Sequence, residues 1–325
     1  MTGVLYFGTS EFAVAALEAL AASPSFRVIG VVTQPDKPVG RKGEIRRTPA
    51  AEAALRLGLP LHQFATLKDP STAEAIRSMA PDLFIVAAYG KIIPASVLEI
   101  PRLGALNLHG SLLPKYRGAS PIQAVILAGE RQTGVTLMRM DSQVDHGPVL
   151  AAAKTPIADD DTHASLEKKL GAVAAELLIE TLPAYVRGEL TPKEQRHDDA
   201  TFTKVLGRED GLVRWTVEDA AAIERKLRAY DPWPGAYAVW LHAEKHLRLK
   251  LLKVSAIKKA PADAPVGTVF RLDDGFPAVK AARGAIKLEQ IQLEGKKPAS
   301  GKSFLDGYAG LVGARLEEPS EEKAP

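Results

Sequence analysis

The sequence predicts an α/β fold in which a Rossmann-like, mainly parallel sheet with flanking helices is followed by a smaller, OB-like β-barrel domain. Short apolar segments alternate with helix-like segments over residues 1–188, a pattern that favours a parallel sheet covered on both faces. The sequence then turns polar. From residue 207 onward it consists mostly of short β-rich segments separated by Gly, Pro and Asp, which favours a small barrel.

Six apolar segments of the first half are predicted strands. They are Val4–Gly8, Val28–Thr33, Asp82–Ala88, Ala105–Gly110, Gly134–Met140 and Val149–Ile157. Capping residues predict where the helices between them begin, because Ser, Thr and Asp accept hydrogen bonds from the first free amides and Pro suits the first turn. These signals are Ser10, Thr48–Pro49, Asp69–Pro70 and Ser120–Pro121, and a long amphipathic helix is predicted over Thr162–Arg187.

Changes in composition and apolar periodicity along the chain predict the domain boundaries. We expect a first domain over residues 1–188, a polar linker over 189–206, a second domain over 207–313 and a disordered tail over 314–325. The linker contains the weakly patterned stretch ELTPKEQRHDDATF, and the tail ends in EEPSEEKAP. Both lack the apolar periodicity of a packed element.

Composition excludes several classes of protein. The chain has no cysteine, which rules out disulfides, thiolate metal sites and thiol catalysis. No basic segment leads into an apolar one at the N-terminus, and no apolar run reaches the length of a membrane span. We therefore expect a soluble, cytoplasmic protein, and we expect it to be a monomer.

The positive charge is concentrated in the second half of the chain. The net charge of +3 divides into a neutral first 206 residues, +5 over residues 207–313 and −2 over the tail. A basic domain suits a polyanionic partner. Solvated lysines on a small domain would give the same balance, so charge alone leaves both interpretations open.

Two weak motifs point to no cofactor or metal. The Gly-Thr-Ser turn after the first strand lacks the GxGxxG pattern and the acidic residue of a dinucleotide site. His242 and His246 are four residues apart, but they lie in a strand-like segment without a third ligand nearby. We therefore predict neither dinucleotide binding nor a metal site.

The fourth predicted strand carries a candidate pair for acyl transfer. Alternate residues of a strand share a face, so Asn107 and His109 point the same way. An amide N–H can stabilise a developing oxyanion, and an imidazole can donate to it or move protons. Either residue by itself is more simply a polar group at the rim of a sheet.

A carboxylate follows the next predicted strand. Asp145 lies in the turn-forming segment Asp141–Pro148, which we expect to bring it to the same sheet edge. A carboxylate beside His109 would orient the ring and favour its charged form. A turn-capping role for Asp145 is the alternative.

The pattern Asn-x-His-Gly-Ser-Leu-Leu-Pro, followed by Asp-x-Gly-Pro, resembles the folate-dependent formyltransferase family. The resemblance implies that Asn107, His109 and Asp145 form a catalytic triad and that 10-formyltetrahydrofolate is the co-substrate, without a metal. It also implies folate contacts from three segments of this chain. They are Ser111, Leu112, Leu113 and Pro114; Tyr89, Gly90 and Ile92; and Met140, Asp141 and Val144.

Three further segments resemble the members of this family that formylate the methionine of charged initiator tRNA. These are VLYFGTSEFAV with VTQPDKP, the basic loop PVGRKGEIRRT, and RAYDPWPGA followed by β-rich sequence. The resemblance implies that the loop meets the acceptor end of the tRNA through Arg41, Lys42, Arg46 and Arg47, and that the OB-like domain binds the tRNA arm. A solvated, charged loop is the alternative, and Glu44 interrupts the basic run.

Two other functions remain open at this stage. The related enzymes that act on glycinamide ribonucleotide, on formyltetrahydrofolate itself or on sugar nucleotides share the catalytic pattern. A sugar-nucleotide formyltransferase would keep the triad without needing the basic loop. An RNA- or folate-binding protein that retains the fold would not need the triad.

Overall fold

The computed structural model describes residues 1–39 and 44–318, with only the backbone of Val39. The chain divides into two compact units. The first consists of Met1–Ile122, Arg131–Ala158 and Ser165–Val205, and the second of Gln123–Glu130, Asp159–Ala164 and the chain from Leu206 onward. None of the helices in the described chain is both long and apolar enough to cross a bilayer.

The elements up to residue 205 alternate as predicted. The strands are β1 Thr2–Gly8, β2 Phe26–Val32, β3 Lys37–Val39, β4 Glu44–Arg46, β5 Leu61–His62, β6 Leu83–Ala87, β7 Ala105–His109, β8 Arg117–Gly118, β9 Gln132–Arg139, β10 Val149–Pro156 and β11 Phe202–Thr203. The helices are α1 Phe12–Ala22, α2 Pro49–Arg56, α3 Pro70–Ser78, α4 Ala95–Leu98, α5 Pro121–Ala128 and α6 His163–Val186, and a 3₁₀ turn covers His197–Asp199. The six predicted strands and the long helix are therefore confirmed to within two residues at each end.

The first unit is built on a seven-stranded, mainly parallel sheet. Its order is β10-β9-β7-β6-β1-β2-β5, and only β9 runs against its neighbours β7 and β10. The central strands β1, β6 and β7 are buried along almost their whole length, as expected for strands covered on both faces. The α/β part of the predicted fold is confirmed.

The direction of β9 decides how the site is assembled. Because β9 is antiparallel to β7, the segment after it starts beside the amino end of β7, where Met140 N donates to Ala105 O at 2.8 Å. The segment that holds Asp145 must therefore fold back along β7 to reach His109. The direction of β9 by itself would leave Asp145 at the end of β7 opposite to His109.

Of the predicted helix caps Thr48 and Ser10, the structure confirms the first and not the second. Thr48 caps α2 as predicted, since its hydroxyl accepts from Ala51 N at 3.1 Å. Ser10 does not cap α1, because the helix starts one residue later with Glu11 at the N-cap. The buried Ser10 hydroxyl has no hydrogen-bond partner among the described residues.

The polar segment expected to be a linker is bound to the first unit over much of its length. Lys193 exchanges two backbone hydrogen bonds with Val149, at 2.7 and 2.8 Å. Farther along, β11 pairs in parallel with β8, directly after the Asn107–Pro114 segment. The segment predicted to be a linker is therefore hydrogen-bonded to the first unit at these residues, where its backbone and side-chain polar groups have partners around the candidate site.

The second unit contains a separate antiparallel sheet. Its elements are α7 Ala220–Tyr230, β12 Tyr237–His242, β13 Lys245–Ile257, β14 Val269–Arg271, β15 Pro277–Lys280, β16 Ala285–Leu293, β17 Ala299–Ser300 and α8 Gly301–Gly307, with 3₁₀ turns at Arg208–Gly211 and Ala309–Leu311. The sheet order is β12-β13-β16-β15-β14, and β17 pairs with β16. This ladder is open, because β12 and β14 do not pair with each other.

The start of the expected tail is ordered. Leu316 is buried at 2% exposure, Leu316 N donates to Gly267 O, and Glu317 N donates to Val239 O. The expectation of a disordered tail is therefore wrong for residues 314–318, because this stretch hydrogen-bonds to the edges of the second sheet. Residues 319–325 lie outside the described residues.

Candidate active site

Asn107 and His109 lie on β7 between two paired strands. Asn107 is opposite Val86 of β6 and Met138 of β9, and His109 is opposite Thr136 of β9. The two side chains are 8% and 5% exposed, so they combine polar chemistry with a nearly dry environment. Electrostatic interactions are stronger in such surroundings than in water.

Asp145 meets both side chains through one oxygen. Its Oδ1 lies 3.4 Å from Asn107 Nδ2 and 3.5 Å from His109 Nδ1. These distances are long for hydrogen bonds, so the amide and the ring remain available to another acceptor. The three residues predicted from the sequence pattern therefore form one cluster.

The opposite nitrogen of His109 faces a backbone carbonyl. Nε2 lies 2.9 Å from Tyr116 O, and since a carbonyl can only accept, Nε2 carries the proton of this bond. Both ring nitrogens thus face oxygen acceptors, so a doubly protonated ring would donate to both. The arrangement fixes the plane of the imidazole relative to Asn107.

The second carboxylate oxygen of Asp145 is held by the backbone. Gly118 N donates to Oδ2 at 2.7 Å. Gly118 has φ +107° and approaches Thr203 of β11 so closely that an added Cβ would lie 2.4 Å from Thr203 O. Only glycine fits both requirements, and the pairing of β8 with β11 therefore presents the amide that orients Asp145.

The Ser-Leu-Leu-Pro segment is tied into a tight turn. Ser111 is fully buried, its Oγ donates to Lys115 O at 2.7 Å, and its carbonyl accepts from Thr136 Oγ1. Its hydroxyl is thus used within the turn. Leu112, Leu113 and Pro114 are half-buried, so their apolar groups are partly accessible.

The second predicted folate segment divides between core and surface. Tyr89 is 2% exposed and its ring packs edge-on against Phe7, with the centroids 5.4 Å apart. Burial raises the pKa of Tyr89 to about 12, and its hydroxyl has no partner among the described residues. Gly90 is exposed with φ +76°, and Ile92 is 80% exposed.

The third predicted segment precedes Asp145. Met140 packs partly against the core that contains Tyr89. Asp141 is half-buried and its Oδ2 lies 2.7 Å from His146 Nδ1, while Val144 is 60% exposed. This segment offers apolar groups beside backbone polar groups, an arrangement that suits a flat heterocycle.

The basic loop is described only in part. Arg46 ends β4, which forms a short hairpin with β3, and both Arg46 and Arg47 are exposed. Thr33 and Thr48, on either side of the loop, join their hydroxyls at 2.7 Å. Arg41 and Lys42 lie outside the described residues.

Sequence reasoning missed two buried residues that support the cluster. Gln195 is 7% exposed and donates to the carbonyls of Asp145 and Gly147, at 3.0 and 2.7 Å. Arg117, which is 3% exposed, donates to Gln195 Oε1 and approaches His197 Nδ1. Arg117 lies three residues after the Asn-x-His-Gly-Ser-Leu-Leu-Pro pattern, and this proximity could have singled it out. Gln195 lies in a polar stretch without any signal.

Two sequence families match the chain. The formyl transferase family matches residues 2–182, and the C-terminal domain of formyl transferases matches residues 206–309. Among the described residues, no group of three His, Asp or Glu side chains is placed to hold a metal ion.

Curated proteins resemble the chain over nearly its whole length. One, named methionyl-tRNA formyltransferase, from Roseiflexus sp. (strain RS-1), is 44% identical over 317 residues, which is 98% of this chain and 96% of that protein. Another of the same name, from Thiobacillus denitrificans, is 41% identical over 313 residues, covering 96% of this chain and 99% of that protein.

Solved structures share the fold at low identity. An N-formyltransferase from Helicobacter canadensis, in complex with folinic acid and dTDP-3-aminofucose, has a TM-score of 0.63 at 16% identity over 89% of this chain and 99% of its own. HypX from Aquifex aeolicus, in complex with tetrahydrofolic acid, has a TM-score of 0.61 at 19% identity, and this chain spans about half of HypX. On the evidence of the family match and the curated relatives, this chain belongs to the formyl transferase family.

Proposed function

We propose that this protein transfers the formyl group of 10-formyltetrahydrofolate to the α-amine of methionine esterified to initiator tRNA, a step that supports translation initiation. The observation that carries the proposal is the cluster of Asn107, His109 and Asp145, in a chain that resembles methionyl-tRNA formyltransferases over nearly its full length. Family membership supports the reaction type, and the curated relatives support the acceptor.

The neutral amine attacks the formyl carbon, and the carbonyl oxygen becomes an oxyanion. Asn107 Nδ2 and the His109 ring donate to this oxygen, since both hold Asp145 Oδ1 only at long range. Their burial removes competing water, which makes each donated hydrogen bond worth more. No covalent enzyme intermediate is required.

Asp145 orients His109 and positions a water that relays the proton of the amine. Gly118 N fixes Asp145 Oδ2, so Oδ1 keeps its direction towards the reacting groups. Collapse of the tetrahedral intermediate breaks the bond between the formyl carbon and N10 of the folate. N10 takes up a proton, and tetrahydrofolate leaves.

The folate would be held by the three segments around the cluster. The exposed or half-buried apolar side chains of Ile92, Leu113 and Val144 suit the faces of a pterin, and backbone groups near Gly90 and Met140 supply polar partners. The contribution of Tyr89 would be indirect, because its ring lies in the core, where Met140 packs against the same cluster. Asp141, Ser111, Leu112 and Pro114 complete the proposed contact set.

The acceptor tRNA would be held by charge. Arg41, Lys42, Arg46 and Arg47 lie in one short basic loop, and residues 207–313 carry a net charge of +5. We propose that the second unit is an OB-like barrel that binds the tRNA arm. The two backbone hydrogen bonds from residues 316–317 to Gly267 and Val239 support this barrel, because they join the two ends of the open ladder.

The proposal includes a monomeric enzyme in the cytoplasm, without a metal. Light scattering of the purified protein tests the oligomeric state, and dialysis against a chelator, which should leave the rate unchanged, tests the metal.

Formyl transfer from 10-formyltetrahydrofolate to methionyl-initiator-tRNA is the direct test. Uncharged tRNA, charged elongator methionyl-tRNA and an amino-sugar nucleotide serve as parallel acceptors. We expect turnover with the charged initiator tRNA and little with the other three. Transfer to the sugar nucleotide, or hydrolysis to free formate without transfer, would keep the catalytic cluster and rule out the tRNA as acceptor.

A further inference from the structure

The segment between Lys193 and Thr203 wraps around the Asp145 turn. Lys193 is paired with Val149 at one end, and at the other Thr201 O accepts from Arg117 N at 2.8 Å. Thr201 Oγ1 accepts from Tyr116 N, also at 2.8 Å. Between these anchor points, Gln195 points into the first unit and is buried.

The amide group of Gln195 has all of its strongest hydrogen-bonding positions occupied. Nε2 donates to Asp145 O and Gly147 O, and Oε1 accepts from Arg117 Nε at 3.2 Å and from Arg117 Nη2 at 2.7 Å. A single side chain thus joins two carbonyls on either side of His146. The bonds fix where the backbone of the turn lies, independently of the sheet.

The Asp145 turn needs such a support. Asp145 has φ +48°, a left-handed conformation that is unfavourable for a residue with a Cβ. The turn also folds back from the amino end of β7, so no ladder of the sheet holds it beside His109. Strained backbone at a functional site persists when surrounding contacts over-determine it.

Arg117 supplies the charge that makes this support strong. Its guanidinium is almost completely buried, and no carboxylate in the described part of the chain pairs with it directly. Its hydrogen bonds go instead to Gln195 and to His197, whose ring stacks on His146 at 4.1 Å. A charged donor polarises the amide it bonds, and the amide then donates more strongly to the turn carbonyls.

We propose that Gln195 and Arg117 are positioning residues, which hold the Asp145 carboxylate in reach of His109 and Asn107. The inference rests on the proposed function only in taking Asp145 as part of the catalytic cluster. It assigns a role in catalysis to a polar segment that sequence reasoning treated as a linker. Neither residue contacts the reacting atoms in this arrangement.

The test compares two substitutions of Gln195 with a matched control. Gln195→Glu keeps the acceptor oxygens for Arg117 but removes both N–H donors, and Gln195→Met removes every hydrogen bond at similar volume. We expect kcat for formyl transfer to fall roughly ten- to hundredfold in both, because a displacement near 1 Å has that effect. The KM values for the folate and the tRNA should change less than about threefold, since neither side chain is proposed to touch a substrate.

Thr72→Val serves as the control. Thr72 is also buried and loses one hydrogen bond, from Oγ1 to Thr66 O at 3.1 Å, at the start of α3. We expect it to lower thermal stability with kcat unchanged. If Gln195→Glu or Gln195→Met keeps the wild-type kcat, or loses no more than Thr72→Val, the positioning role is wrong.

A second measurement does not depend on activity. The imidazole ¹⁵N resonances of His109 report which ring nitrogens carry protons and what they contact. They should move in Gln195→Glu and in Arg117→Lys, which keeps the charge but loses the forked geometry, and stay in place in Thr72→Val. Unmoved resonances in both variants would overturn the inference, even if the wild-type protein formylates no tRNA. If the wild-type protein formylates no tRNA but the His109 resonances still move in the two variants, the proposed function is wrong and the positioning role stands.

Discussion

The proposed catalytic cluster and the basic loop of the first unit hold their polar side chains in opposite ways. Asn107 and His109 are more than nine-tenths buried, and the Tyr116 carbonyl fixes the orientation of the His109 ring. Arg46 and Arg47 are exposed at the end of a hairpin of three-residue strands. Chemistry on one carbonyl requires donors at fixed positions, whereas capture of a flexible polyanion requires charge that can follow it.

This contrast separates the kinetic effects expected from the two regions. Changes in the buried cluster should appear in kcat, because its contacts tighten in the transition state. Changes in the exposed loop should appear in KM and in its dependence on salt. If changes in either region altered both kcat and the salt-dependent KM, the two regions would not have separate roles.

Asn107→Ala should have the largest effect. Removing an oxyanion donor typically lowers kcat by roughly a hundredfold or more, and the KM for the folate should hardly change. Single-turnover formyl transfer measures the chemical step directly. A rate near that of the wild type would show that Asn107 does not stabilise the oxyanion. It would also contradict the assignment of the chemical step to the buried cluster.

Gly147→Ala should have the next largest effect, through geometry alone. An added Cβ would lie 2.0 Å from Arg139 O, so the turn that carries Asp145 must move. We expect kcat to fall roughly tenfold or more, with a loss in unfolding free energy of about 1–3 kcal/mol. Kinetics and urea unfolding of the same preparation measure both.

Gly307→Ala is the matched control for that substitution. A Cβ at Gly307 meets nothing within 4 Å, so both kcat and stability should remain close to those of the wild type. An unchanged kcat in Gly147→Ala would mean that the turn can shift without moving the carboxylate.

Substitution of both loop arginines should have a moderate effect on binding only. In Arg46→Ser with Arg47→Ser, we expect the KM for the charged tRNA to rise roughly five- to tenfold. The slope of log KM against log salt should decrease by about one for each phosphate that the arginines no longer neutralise. Arg77→Ser, which removes one exposed arginine paired with Glu74 on α3, is the control for the loss of a surface charge outside the loop. A fall in kcat at saturating tRNA would contradict the separation of the two regions.

Substitution of Asp82 should have the smallest effect, and it should change the free energy of unfolding without changing kcat. The hydrogen bond from Gly3 N at 2.7 Å, followed by the Arg102 side chain, lowers the pKa of Asp82. A carboxylate whose pKa is lowered by folding stabilises the protein above its unfolded pKa of about 3.9, and this contribution disappears as the pH falls through the folded value.

The measurement for Asp82 is urea unfolding between about pH 6 and pH 2, in the wild type and in Asp82→Asn. Because the carboxyl is partly exposed, we expect a difference below about 1 kcal/mol near pH 6 that vanishes at the acid end, with kcat unchanged at neutral pH. If the difference in unfolding free energy between the two proteins grew as the pH fell, folding would not lower the pKa of Asp82.

The α/β alternation could be predicted because it is local. A strand is predicted by an apolar run, and a helix start by a residue that satisfies free amides. Thr48 and Pro49 therefore predict the start of α2 from local sequence alone. Ser10 shows the limit of such signals. Its neighbours start α1 one residue later, and the cap is lost.

The pair Asn107 and His109 could likewise be predicted, since alternation along one strand places both on one face. The sequence pattern also singled out Asp145, but not the path that brings it there. That path depends on β9 running against β7 and on a turn folding back, and neither is encoded within a single segment.

The amino-acid sequence alone was sufficient to predict the strands, most helix starts, the charge of the second half and the shared face of Asn107 and His109, because these follow from the periodicity and chemistry of neighbouring residues. The triad with Asp145 was implied by the resemblance to the formyltransferase family. The contacts of Gln195 with the Asp145 turn and with Arg117, and the order of residues 314–318 against the second sheet, came from the tertiary structure. Their partners lie far away along the chain, and pairings between such distant residues are selected by packing rather than by local propensity.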